Sequence, residues 1–67
     1  MLERLKRMVK NSSYDKSMFS MTLFYTLSLV EPNEEEELEF WIVENFWSTH
    51  KKEIREVFNK VNVGQPS

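Results

Sequence analysis

Cysteine is absent from this 67-residue chain, glycine occurs once and proline twice. No cysteine means no disulfide framework, no thiolate zinc site and no cysteine nucleophile. With Gly64 as the only glycine, neither a Gly-rich phosphate loop nor a G-x-S-x-G nucleophile elbow can be built. The single histidine, His50, is the only imidazole open to a Ser/His/Asp arrangement. His50 and Glu53 stand at a spacing that lets both reach one metal on a helix, but two ligands do not make a site unless a second copy supplies two more. The sequence therefore predicts no enzyme, no cofactor and no resident metal.

Long apolar runs are also lacking. Met18 to Val30 is the longest, and Ser20, Thr22, Thr26 and Ser28 interrupt it. It falls short of the roughly 20 apolar residues that span a bilayer. The basic stretch before it resembles the start of a signal peptide, yet Glu31-Pro32-Asn33 follows where a small-residue cleavage site would stand. A cytoplasmic protein is the expectation.

The formal net charge is −2, and its distribution is uneven. Residues 1–17 hold five basic and two acidic groups, residues 31–44 seven acidic and no basic groups, and residues 50–61 four basic and two acidic groups. What the chain does have in quantity is bulk: five Phe, two Trp, two Tyr and four Met. Each aromatic can bury about 150–250 Å², which matters for a chain near the lower size limit of independent folding.

Leu2, Leu5, Met8 and Val9 recur at helical spacing, so Met1 to Lys10 reads as a short amphipathic helix, with Arg4, Lys6, Arg7 and Lys10 around it. Asn11-Ser12-Ser13 breaks it, and Ser12, Ser13 or Asp15 can cap a second helix by accepting unpaired amide hydrogens. The second element is ambiguous. From Phe19 to Leu29 every odd position is apolar and the even ones are mostly Ser or Thr, the period of a half-buried strand; as a helix the segment would be apolar nearly all round.

The third element favours helices throughout. Pro32 suits a first turn, and Glu34, Glu35, Glu36 and Glu37, followed by Glu39, complement the helix dipole. From there Phe40, Val43, Trp47, His50, Ile54, Val57 and Val61 form a heptad seam broken only by His50, and Phe58 widens it. One helix from Asn33 to Val61 would span about 43 Å at 1.5 Å per residue, whereas a compact chain of this length is roughly 28 Å across. Either the helix breaks near Ser48-Thr49 or a second chain covers the seam. The unbroken heptad phase favours the second.

The fold predicted is all-α: a short helix, then a helical hairpin with a long third helix, completed by dimerisation. Its alternative is a helix–β-hairpin–helix. Residues 1–63 form one domain and 64–67 a frayed tail. The function predicted is a regulatory or adaptor protein that binds another protein and associates with itself through the 40–61 seam, antiparallel around His50 so that acidic and basic ends meet. Leu38, Trp41 and Ile42 form a second apolar patch, a candidate partner site if the first two elements leave it open. The run of glutamates is a possible acidic patch, though a solvated first turn explains it. The alternatives are a nucleic-acid-associated regulator holding phosphates with Arg4, Lys6, Arg7 and Lys10, and a peripheral membrane protein using the same cations.

Overall fold

The computed structural model describes residues 1–63. They form α1 (Leu2–Ser12), α2 (Lys16–Leu29), a 3-10 turn (Pro32–Glu34) and α3 (Glu35–Val63). Among the described residues the fold is all-α, so the β-hairpin alternative falls. The frayed tail assigned to 64–67 lies outside the described residues.

Asp15 starts α2. Its backbone is extended and its carboxylate accepts the Met18 N–H at 3.0 Å, which satisfies one of the unpaired donors of a first turn. The Ser12 and Ser13 hydroxyls instead donate back to Val9 and Lys10 carbonyls at 2.9 and 2.8 Å, so they belong to the end of α1. In α2 the buried positions are Phe19, Leu23, Thr26 and Leu27, a helical stripe. Two of its hydroxyls need no neighbouring element. Thr26 donates to the Leu23 carbonyl at 3.1 Å and Ser28 to the Phe24 carbonyl at 2.8 Å, which lets a helix this apolar carry them.

Both other helices pack against α2. The core joins Leu2, Leu5 and Val9 of α1 to Phe19, Leu23 and Leu27 of α2 and to Leu38, Ile42, Ile54 and Val57 of α3. Burial of this kind, at about 25 cal/mol per Å², is what offsets the ordering entropy of so short a chain.

α3 is as long as expected but not straight. His50 leaves helical geometry (φ −132°, ψ 34°) and bends the helix into two limbs. The break, set aside in favour of a straight helix, therefore exists, one residue beyond Thr49. It reconciles length with size: the molecule measures 32 × 24 × 18 Å, shorter than a straight helix of about 43 Å. Its Cα radius of gyration, 10.9 Å, is that of a compact chain.

Candidate interaction surface

Because α2 is apolar all round and only half of it is covered, its other half forms an apolar face. Met18, Met21, Phe24, Tyr25 and Leu29 lie on that outer arc, with Met21 72% and Tyr25 54% exposed. No charged residue occurs between Lys16 and Glu31. The exposed apolar area is on the order of 500 Å², toward the upper end of the largest patches on monomers, which are often functional. Between this face and the second limb of α3 runs an open groove of about 780 Å³, with Met21, Phe24 and Tyr25 on one wall and Val57 and Lys60 on the other.

The seam residues are divided by the bend. In a straight helix Phe40 and Ile54 would point within about 40° of each other at 3.6 residues per turn. Instead Phe40 is 68% exposed and Trp47 is exposed beneath the Lys51 ammonium, 5.5 Å from its ring, while Ile54 and Val57 are buried in the chain's own core. Val43, Phe58 and Val61 are partly buried against that core. A seam open from Phe40 to Val61 is thus not present in this conformation.

His50 sits at the junction of all three helices. The Ser13 carbonyl can only accept, so the hydrogen lies on His50 Nε2, which donates to it at 2.9 Å. That bond satisfies a carbonyl at the end of α1. The ring's Nδ1 is 2.8 Å from Thr49 Oγ1, and the ring packs on Phe19 at a tilt of 43° with centroids 4.1 Å apart. Phe46 adds a tilted contact to Phe19 and an edge-on contact to His50.

Leu38 and Ile42 are fully buried, so the patch they were expected to form with Trp41 is filled from within. Trp41 is covered by α1: the Lys6 and Lys10 ammonium groups lie 5.6 and 5.9 Å from its ring. Lys6 also reaches Glu3 at 3.7 Å. Two of the four cations considered for phosphate contact therefore hold α1 to α3, leaving Arg4 and Arg7 on the outside. Of the acidic run, Glu36 and Glu37 are exposed and Glu34, Glu35 and Glu39 partly buried. Burial, with Glu35 and Glu36 nearby, holds the Glu39 carboxyl above its ordinary value of 4.5.

The outer face of α2 was not among the residues picked from sequence. The signal was present: a helix apolar nearly all round, with two other α-helices among the described residues to cover it. Among the described residues no cluster of three or more His, Asp or Glu is placed to hold a metal, and no helix is long and apolar enough to cross a membrane. Compared with protein-family models, curated proteins and solved structures, the chain matches none of them.

Proposed function

We propose that this protein is a non-enzymatic regulatory or adaptor protein that binds another protein through the outer face of α2. The observation that supports the reading is the uncharged apolar arc of Met18, Met21, Phe24, Tyr25 and Leu29 beside a groove. Aromatic and methionine side chains in such a setting are the anchors of protein interfaces, where they bury area at little entropic cost. The proposal sets this binding in the cytoplasm, which cell fractionation would check.

The test is capture from native extract on immobilised protein, comparing the parent with Met21→Lys and with the Arg4→Glu/Arg7→Glu double variant at low and high salt. Loss with Met21→Lys alone, and retention at high salt, is the expected result. Loss with the arginine variant and a steep decline with salt would overturn it in favour of phosphate contact, since counterion release makes that mode salt-sensitive.

A further inference from the structure

We propose that the outer face of α2 is closed by the same face of a second copy, the two helices packing antiparallel about a two-fold axis at the level of Leu23, with every helix as it stands in the monomer. The inference rests on the reading of that face as a binding surface and adds its regulation: self-pairing withholds the face, so the form another protein binds is the monomer.

Met18, Met21, Tyr25 and Ser28 are exposed and follow one another at steps of three, four and three. That spacing keeps them on one side of the helix, along the middle of the outer arc, and it is the spacing at which two helices pack side by side. Phe24 and Leu29, each 46% exposed, flank the stripe.

The sizes along the stripe select a direction. Antiparallel pairing centred on Leu23 sets Met18 opposite Ser28 of the second copy and Met21 opposite its Tyr25. A long side chain then meets a short one at both ends, and a thioether meets a ring on either side of the axis. Parallel pairing sets Met18 on Met18 and Ser28 on Ser28, which crowds one end and leaves a gap at the other. The antiparallel overlap runs from Ser17 to Leu29, almost the whole of α2.

Charge and area point to a second copy as the occupant. A two-fold contact sets a surface against itself, so a charge near the axis meets its own kind. α2 carries no charge between Lys16 and Glu31, so self-pairing brings no such conflict. Lys60 lines the groove from α3, off the stripe, and its long stem lets the ammonium stay in water. An exposed apolar area on the order of 500 Å² per copy becomes about 1,000 Å² for the pair, before the serine and threonine rim, which reaches the lower bound of specific interfaces. Interfaces of that size are weak, so monomer and dimer exchange readily.

Sedimentation of the whole chain from micromolar to millimolar concentration should show monomer passing to dimer, with Met21→Lys weakening the dimer at least about tenfold. Charge tests the register. Met18→Lys and Ser28→Glu should each weaken self-association, whereas the Met18→Lys/Ser28→Glu double variant should associate more tightly than either, because each ammonium then faces a carboxylate; parallel pairing would set like charges together. In mixed-label samples of the parent, isotope-filtered NOEs should join the Met21 methyl of one copy to the Tyr25 ring of the other, and these decide alone if a variant fails to fold. A parent that is monomeric throughout, a double variant weaker than both single ones, or filtered NOEs that miss α2 overturns the proposal. A parent that dimerises through this face but captures no other protein upholds self-pairing and overturns the adaptor reading. A monomeric parent whose capture is lost with Met21→Lys does the reverse.

Discussion

Asp15 and Glu39 are both carboxylates near helix starts, and the structure assigns them opposite effects. Asp15 accepts the Met18 N–H, so Asp15→Ala should lower stability by about 1 kcal/mol in urea titration, with Asp15→Asn close to the parent. An alanine variant equal to the parent would mean that the cap contributes nothing. Glu39 is held above its ordinary value of 4.5 by burial first and by Glu35 and Glu36 second. A raised carboxyl binds its proton more tightly folded than unfolded, so stability is lost as pH rises from the ordinary value through the folded one. Glu39→Gln should therefore be more stable than the parent at neutral pH, with the gain disappearing below the ordinary carboxylate value. Denaturant midpoints across that pH range check the sign, and a gain that grows on acidification would contradict it. Asp15 was legible in sequence because a cap acts on the next few residues. His50 was not, because the carbonyl it binds belongs to Ser13, 37 positions earlier.

The second helix shows where pattern and packing part. Alternation from Phe19 to Leu29 points to a strand, yet the segment buries Phe19, Leu23, Thr26 and Leu27 and leaves Met21 and Tyr25 outside. Period 2 and period 3.6 overlap in a segment this rich in apolar residues, and only the partners on either side decide which one is used. Serine and threonine at the even positions strengthened the strand pattern, but the hydroxyls of Thr26 and Ser28 are absorbed by carbonyls of the preceding turn. Two substitutions separate the faces. Leu23→Ala should cost about 2–5 kcal/mol by opening a cavity between helices. Met21→Lys should change stability by less than about 0.5 kcal/mol, as surface substitutions do. Denaturation curves for the pair check this assignment, and equal losses would mean that the outer face is covered.

At the scale of the whole molecule, the length of α3 was legible and its shape was only half so. The mismatch between a helix of about 43 Å and a compact chain demanded either a bend or a partner. The heptad favoured the partner, and the bend is what the chain adopts; heptad continuity states what a straight helix could pair with, not whether it is straight. The bend brings Phe46 and His50 of α3 onto Phe19 of α2, which is fully buried with its ring centroid 5.2 and 4.1 Å from theirs. Among the described residues the three helices share one core, and none has a second buried apolar cluster to hold it if that core opens. At about 0.05–0.15 kcal/mol per residue, the total stability of such a chain is roughly 3–10 kcal/mol. Phe19→Ala should remove about 3–5 kcal/mol of it, roughly a third or more. The expected outcome is loss of helical circular dichroism in a single transition at much lower temperature, with amide protection falling together in all three helices. Tyr25→Ala removes a comparable ring from the exposed side of the same helix and should leave the melting curve almost unchanged. If instead α3 kept its protection while α1 and α2 melted, the second limb of α3 would have to be held by something other than the core around Phe19.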